Sequence, residues 1–329
     1  MGLLVDGTWQ DTWYDTHASG GRFVRQDASF RNWITADGSA GPSGVAGYKA
    51  ESERYHLYVS YACPWAHRTL IFRALKGLEK HISVSVVHPL MKDSGWSFDT
   101  GYDGATGDDL HGADYLHQIY TRALPGATTR VTVPVLWDKA TEAIVSNESS
   151  EIIRMLNSAF DHITGNSLDL YPDDLATTIN TWNDRIYGSV NNGVYRSGFA
   201  TSPEAYQEAV TDVFECLDQL EAHLTTHRYL AGDRVTEADW RLWTTLVRFD
   251  PVYVGHFKTN IRRLQDYAAL WGYMLELYQW PGVAGTTRLD HIKYHYYASH
   301  ETINPTGIVP VGPAIDLNAP HGREDLEAA

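Results

Sequence analysis

The chain of 329 residues carries 26 Lys and Arg against 41 Asp and Glu, a formal net charge of −15, with 43% hydrophobic and 20% charged residues. That is room for two domains with their own cores in a globular composition, and no stretch approaches the roughly 20 apolar residues of a membrane span. A chain this acidic, with no run of Lys or Arg, is ill suited to a phosphate backbone, so neither nucleic acid nor a membrane is an expected partner.

Residues 1–50 are rich in Gly, Ser, Asp and Trp with little periodicity, and read as an extended arm lying on the body, with no chemistry assigned. Residues 55–59 read as a short strand. Leu70, Ile71, Ala74, Leu75 and Leu78 then recur at helical spacing before Gly77 and a strand over 82–87. This β-α-β unit predicts parallel strands and a right-handed crossover. An insert over 88–130, dense in Gly, Asp and aromatics (Ser94-Gly95-Trp96-Ser97-Phe98), holds one predicted helix over 115–123, and a loop-rich insert of that length is usually functional. Val131-Thr132-Val133-Pro134-Val135-Leu136-Trp137 reads as a strand, followed by a turn at Asp138-Lys139 and a second strand over 143–145, together a hairpin. A proline has no N–H to donate to a ladder, so Pro134 belongs where the strand begins. A cis bond there would turn the Val133 amide and carbonyl outward, and the sequence leaves the isomer open. Ser146-Asn147-Glu148-Ser149 precedes a helix with Ile152, Ile153, Leu156 and Phe160 on its apolar face, so these polar residues stand at an anion-friendly N-terminus.

Beyond a linker rich in Gly, Asp and Pro over 165–174 the pattern is helical throughout. Val210, Val213, Phe214, Leu217, Leu220 and Leu224 form one long stripe, and Thr236 with Asp239 forms a short-armed capping box. The tail over 304–329 reads as loop. The expected divisions are an arm over 1–50, an α/β domain over 51–165 and an all-helical domain with the tail over 171–329.

Cys63 is the cysteine placed for chemistry. In Tyr58-Val59-Ser60-Tyr61-Ala62-Cys63-Pro64-Trp65-Ala66-His67-Arg68 it stands where a strand passes into a helix. Pro64 suits the first helical position, which sets the sulfur beside unbonded N–H groups and the positive end of the helix, a setting that favours thiolate over thiol. In Cys-x-x-Cys oxidoreductases a cysteine three residues on resolves the mixed disulfide; here that position is Ala66, so an external thiol must do so, and glutathione is the most abundant cellular candidate. The competing reading is a cysteine that only packs. That reading fits Cys216, which lies among Val213, Phe214, Leu217 and Leu220. Two cysteines so unlike do not form a disulfide framework, and Met1-Gly2-Leu3-Leu4-Val5-Asp6-Gly7 has neither a basic leader nor a long apolar core, which together point to the cytoplasm. Glutathione is itself a net anion, so an acidic chain must supply donors locally, from backbone N–H groups, helix ends and isolated arginines. The 11 Trp and 20 Tyr exceed what a core of this size needs, and some are expected to line a pocket for a flat ligand.

Other constellations carry less. His291 and His295, four apart on a predicted helix, are spaced to share a metal, but no third ligand or glutamate base accompanies them; they read as exposed histidines, and no metal is expected. His67, one turn beyond Cys63, reads as a helix-face residue rather than a Cys–His partner, because a helix N-terminus alone can activate the thiol. Asp108-Asp109 and Asp173-Asp174 read as solvated turns.

The β-α-β unit with its N-terminal helix cysteine, the Val-Pro hairpin, the Glu-Ser helix start and the all-helical second half with its Thr236/Asp239 cap resemble the glutathione transferase superfamily: an α/β thioredoxin-like N-terminal domain plus an all-α C-terminal domain. More narrowly, Cys63-Pro64-Trp65-Ala66-His67-Arg68, Gly95-Trp96, Arg130-Val131-Thr132-Val133-Pro134-Val135-Leu136-Trp137, Ser146-Asn147-Glu148-Ser149 and Ile303-Asn304-Pro305-Thr306-Gly307 resemble the glutathionyl-hydroquinone reductases, also called Xi-class transferases. The resemblance implies Cys63 as nucleophile, Trp96 and Arg130, Val131, Thr132 and Val133 as glutathione contacts, and Glu148 with Ser149 as binders of the γ-glutamyl end. Chemistry agrees: the Val133 backbone can pair with the cysteinyl amide, Arg130 can meet the glycine carboxylate, and the Ser149 N–H at a helix start can hold the other carboxylate. For Trp96 alone, a packed core residue is the competing reading. The resemblance also implies Tyr195 as proton donor, with Tyr253 and Tyr296 near the thiol, and a homodimer. Among 20 tyrosines none can be singled out unaided.

The implied substrates are glutathione and aromatic glutathionyl-hydroquinones, with glutathione as co-substrate. Two alternatives stand beside this: an omega-like thiol transferase acting on dehydroascorbate or mixed disulfides through the same Cys63, and a non-catalytic aromatic-ligand binder of the transferase fold.

Overall fold

The computed structural model describes residues 2–326. Residue 1 and residues 327–329, the outer ends of the expected arm and tail, lie outside the described residues. The chain divides into two compact units, one of residues 2–13, 26–168 and 286–295, the other of 14–25, 169–285 and 296–326. The stretch expected as one arm is thus shared between them, and a short piece of late helix belongs with the first.

In the first unit β1 (Leu3–Val5) and β2 (Thr8–Gln10) form a hairpin whose two turn residues, Asp6 and Gly7, both have positive φ, 48° and 76°. This is the twist-matched two-residue turn that Asp-Gly favours. The main sheet contains β3 (Tyr55–Val59), followed by helix α1 (Pro64–Leu75) and β4 (Ile82–Val86). β3 and β4 are parallel, with Leu57 opposite Val84. Every residue of β3 is buried, as befits a central strand covered on both faces. Helix α1 ends at Lys76, where Gly77 takes φ +67° and Leu78 N–H closes on the Arg73 carbonyl at 2.8 Å, the left-handed stop that glycine permits.

The insert holds α2 (Leu116–Ala123), and β5 (Thr129–Arg130) then pairs with β1. β6 (Val135–Asp138) and β7 (Ala143–Ser146) complete the sheet in the order β4-β3-β6-β7, both antiparallel to their neighbours. The strand expected from residue 131 therefore begins only at Val135. Val131 to Val133 are loop, and the Val133–Pro134 bond is cis. Helix α3 (Ser149–Ser158) starts on Glu148 and packs its Ile152, Ile153 and Leu156 inward beside α1, and Phe160 lies past its end, opening the single turn α4 (Asp161–Thr164).

The second unit is helical: α5 (Ala176–Ile186), α6 (Gly193–Gly198), α7 (Pro203–Leu224), α8 (Glu237–Arg248) and α9 (Ala268–Tyr278). α7 begins on Ser202, whose hydroxyl accepts the Ala205 N–H at 3.2 Å, and its stripe of Val213, Leu217, Leu220 and Leu224 is fully buried. The capping box at α8 is present, with Asp239 accepting the Thr236 N–H at 2.7 Å. Two π-turns interrupt the helices, Tyr187–Asn191 before α6 and Phe249–Tyr253 after α8, the kind of irregularity that recurs at functional sites. The tail has no regular structure, yet Arg323 is buried and bonds Glu276 at 3.0 Å and the Leu224 carbonyl at 3.0 Å. A last helix, α10 (Leu289–Ser299), gives its residues to His295 to the first unit and those from Tyr296 to the second. No helix among the described residues is long and apolar enough to cross a membrane.

Candidate active site

Cys63 is the N-cap of α1, with φ −79° and ψ 121°, and Pro64 occupies the first helical position as its missing N–H allows. Cys63 is half-buried, and its thiol donates to the Val133 carbonyl at 3.5 Å. Upstream, the Ser60 hydroxyl accepts the Ala62 N–H at 3.2 Å and the Ser60 carbonyl accepts the Cys63 N–H at 3.2 Å, so the turn that delivers the sulfur is hydrogen-bonded from strand to helix. Once ionised, the sulfur loses its bond to Val133 and gains from the first-turn N–H groups and the positive end of α1. His67 is fully buried and its Nε2 lies 2.8 Å from the Thr286 hydroxyl, so that nitrogen serves packing within the unit. Cys216 is fully buried and burial pushes its thiol up, which suits the packing role expected of it.

The Val131–Val133 loop meets the thiol through the Val133 carbonyl, and the start of α3 meets α1 through Ser149 and Arg68. Val131 and Val133 are buried. The Tyr120 hydroxyl donates to the Thr132 carbonyl at 2.8 Å, so this loop's backbone is held from behind by a side chain and not by a strand ladder. Glu148 caps α3 with one carboxylate oxygen, accepting Ser150 N–H at 2.9 Å and Ser150 Oγ at 2.8 Å. Ser149, buried at the first helical position, accepts from the Arg68 guanidinium at 3.3 Å. Arg68 is itself buried on α1 and lies 4.5 Å from the centre of the Trp65 ring, a cation–π contact. A buried cation therefore adds to the helix end where an anion is expected.

Trp96 is only 3% exposed, stacked at 4.6 Å on His295, and its indole N–H is buried with no protein partner. It is packed, as the competing reading held, and it also retains an unmet donor for an acceptor from a ligand. The turn before it requires Gly95, at φ +76°, where a Cβ would come within 2.8 Å of the Trp9 ring. Arg130 spends its donors on the arm, bonding the Thr12 and Trp13 carbonyls and Gln26, so a carboxylate would share it with those acceptors.

His291 and His295 are not exposed but buried, which corrects the sequence expectation. His291 Nε2 donates to the Asp103 carbonyl at 2.6 Å and His295 Nδ1 to that of Pro89 at 2.9 Å, so both fasten α10 to the insert. Among the described residues no group of three or more His, Cys, Asp or Glu is placed to hold a metal.

In the second unit the three expected tyrosines meet. Tyr296, fully buried, stands between the Tyr195 hydroxyl at 2.5 Å and that of Tyr253 at 3.1 Å. Burial and two neighbouring phenols hold the Tyr296 hydroxyl well above its ordinary pKa, so it stays protonated. The π-turns carry Tyr253 and lead into the helix of Tyr195. Arg25, from the arm to which the sequence assigns no chemistry, lies 4.8 Å from the centre of the Tyr195 ring and bonds Asn192 at 3.0 Å, the residue that starts α6. Nothing local in the sequence signals Arg25 or Tyr120, and Arg68, though it closes the Cys63–Arg68 motif, meets Ser149, 81 residues along the chain.

The glutathione S-transferase N-terminal domain matches residues 62–159 and its C-terminal domain matches 203–276. The chain is 60% identical over 324 residues to the glutathionyl-hydroquinone reductase YqjG of Escherichia coli, spanning 98% of this chain and 99% of that one. It belongs to the glutathionyl-hydroquinone reductase family. Another member, PcpF of Sphingobium chlorophenolicum, is 54% identical over 96% of this chain and 98% of its own. The glutathione-bound structure of the Escherichia coli protein superposes with a TM-score of 0.92 at 57% identity, covering 98% of this chain and 99% of that one. The two-part architecture of this reductase, a thioredoxin-like sheet with its helices and an all-helical part, is that of the glutathione transferases.

Proposed function

We propose that this chain reduces glutathionyl-hydroquinones to hydroquinones with glutathione as co-substrate, through a mixed disulfide on Cys63. The observation that carries this reading is its near full-length identity to a glutathionyl-hydroquinone reductase, joined to a half-buried thiol at a helix N-terminus with Ala66 where a resolving cysteine would stand. The Val133 backbone pairs with the cysteinyl part of glutathione. Glu148, the Ser149 N–H and the Arg68 charge take the γ-glutamyl end, Trp96 lends its free N–H, and Arg130 with Val131 and Thr132 lines the remainder.

An aryl thioether is a poor target for a thiolate. Tyr195 donates a proton to the ring carbon that bears sulfur and recovers one from the ring hydroxyl, converting the quinol to its keto form; Tyr296, itself bonded to Tyr253, holds the Tyr195 hydroxyl in place. The Cys63 thiolate then attacks the glutathionyl sulfur. The sulfur–carbon bond breaks, its electron pair stays with the ring as a hydroquinone oxyanion that takes up a proton, and Cys63 is left bonded to glutathione. A second glutathione, as thiolate, attacks that disulfide, and glutathione disulfide and the free cysteine leave. The ring gains two electrons and two glutathione sulfurs lose them. The protein is further proposed to act as a homodimer in the cytoplasm, where its two free cysteines remain reduced.

Cys63→Ala is expected to abolish hydroquinone release and the mass shift of one glutathione after treatment with glutathione disulfide. Hydroquinone release by that variant at the wild-type rate would overturn the scheme. Faster turnover on a small mixed disulfide than on a glutathionyl-hydroquinone would favour the omega-like alternative.

A further inference from the structure

Tyr120 makes no hydrogen bond to Cys63 or to the side chain of any residue expected to meet glutathione, yet its hydroxyl joins the two segments that would hold the tripeptide. It lies on α2 and is fully buried. Its O–H donates to the Thr132 carbonyl at 2.8 Å, and its oxygen accepts from the Thr132 N–H at 3.3 Å and from the Asn147 Nδ2 at 3.1 Å. One donated and two accepted bonds fill what a phenol can make. Asn147 is fixed from its other side by Phe30, exchanging backbone and side-chain bonds at 3.1 Å each, and the Phe30 ring stands edge-on to that of Tyr120 at 5.7 Å.

Neither joined segment has a ladder of its own. Residues 131–133 are loop after the two-residue β5, and 147–148 lie between β7 and α3. Thr132 adjoins Val133, whose carbonyl accepts from the Cys63 thiol, and Asn147 adjoins Glu148 and Ser149. Beyond the β6–β7 pairing, whose first pair is Leu136 opposite Ser146, one oxygen atom therefore bridges the site for the cysteinyl part and the site for the γ-glutamyl part. We infer that Tyr120 is a positioning residue that fixes this span and so determines the selectivity of Cys63 for glutathione over thiols that lack its two arms. The inference rests on the proposed glutathione cradle.

The test compares modification of Cys63 by glutathione disulfide and by hydroxyethyl disulfide, followed by mass spectrometry in the full-length protein. In each reaction the thiolate attacks one sulfur, a mixed disulfide forms and one thiolate leaves, but only the first reagent uses the cradle. Tyr120→Phe keeps the ring and its packing and removes the oxygen. It is expected to slow the glutathione reaction about tenfold, since three polar groups that hold the two segments lose their partner, while the hydroxyethyl reaction stays within about twofold. The KM for glutathione in turnover should rise accordingly. Equal rates with both reagents in wild type and variant alike would overturn the cradle and the inference with it. A wild-type preference for glutathione disulfide that survives unchanged in Tyr120→Phe, or an equal loss with both reagents, would overturn the inference alone. Should Tyr120→Phe fold poorly, Asn147→Leu, which breaks the same link from the other segment, is expected to show the same selective loss.

Discussion

Replacing Tyr195 by Phe separates protonation of the substrate from the chemistry of the thiol. The ring keeps its neighbours, Phe257 at 5.4 Å and the Arg25 guanidinium at 4.8 Å. Tyr296 loses the bond at 2.5 Å and keeps the one at 3.1 Å to Tyr253. Exchange of one neutral hydrogen bond, with a second partner still in place, costs about 1 kcal/mol of stability. Loss of a general acid is a larger effect, about 10²- to 10⁴-fold in rate, or roughly 3–5 kcal/mol of barrier. Single-turnover release of hydroquinone should fall by that factor. Formation of the Cys63–glutathione adduct from glutathione disulfide needs no carbon protonation, so it should stay within about twofold, and the fold should withstand denaturant nearly as before. A loss of the same size in both reactions, or in neither, would refute the assignment of Tyr195 as proton donor.

Two further outcomes concern the scaffold. Asp239 is fully buried and accepts from the Thr236 N–H at 2.7 Å, the Thr236 hydroxyl at 2.9 Å, the Leu230 N–H at 2.9 Å and the Tyr273 hydroxyl at 2.8 Å; Asp239→Ala is expected to lower the unfolding free energy by roughly 4 kcal/mol in a urea titration, and a loss under about 1 kcal/mol would contradict the cap's importance. Burial lowers His56 and His256 from 6.5 to about 4, so between those values the unfolded chain binds more protons and stability is lost as pH falls. Each histidine contributes roughly 2 kcal/mol of that loss between about pH 7.5 and about pH 5. In His56→Gln, neutral throughout, the pH dependence of unfolding should be visibly shallower than in wild type; identical slopes would refute the attribution to His56.

What is legible in the sequence is local. The thiol at a strand-to-helix junction, the proline behind it, the Glu-Ser start of α3 and the Thr236/Asp239 cap are all short-range patterns, and the structure has each of them. Val131-Thr132-Val133 misleads because β-branched residues suit a pleated surface whether or not a partner strand exists, and here the partner is the Tyr120 hydroxyl. The hairpin in the arm is signalled only by Asp6-Gly7, a cue that a Gly-rich surrounding conceals. His291 and His295 look exposed because the carbonyls that bury their polar atoms lie 188 and 206 residues away. The tyrosines stand out only once folding has brought their hydroxyls together, and before that a family resemblance alone distinguishes them from the others.

The chain's charge of −15 raises the question of how it would hold an anionic tripeptide, and the answer lies in where charge is placed and not in how much there is. A carboxylate in water is screened from distant side chains within about 10 Å, so the acidic exterior contributes little at a recessed site. Arg68, by contrast, is 1% exposed and bonded to the first residue of α3, so its charge acts through protein and adds to the partial positive charge of that helix end. Cys63 receives the same kind of help from α1, the helix that also carries Arg68. One helix thus has the thiol at its N-cap and, about one turn along, the buried cation bonded to the start of α3, the two groups that the proposed reaction would use. The thiol and the cation that the proposed function needs lie within the same dozen residues, which is why that short run of sequence speaks for the function more clearly than the composition of the whole.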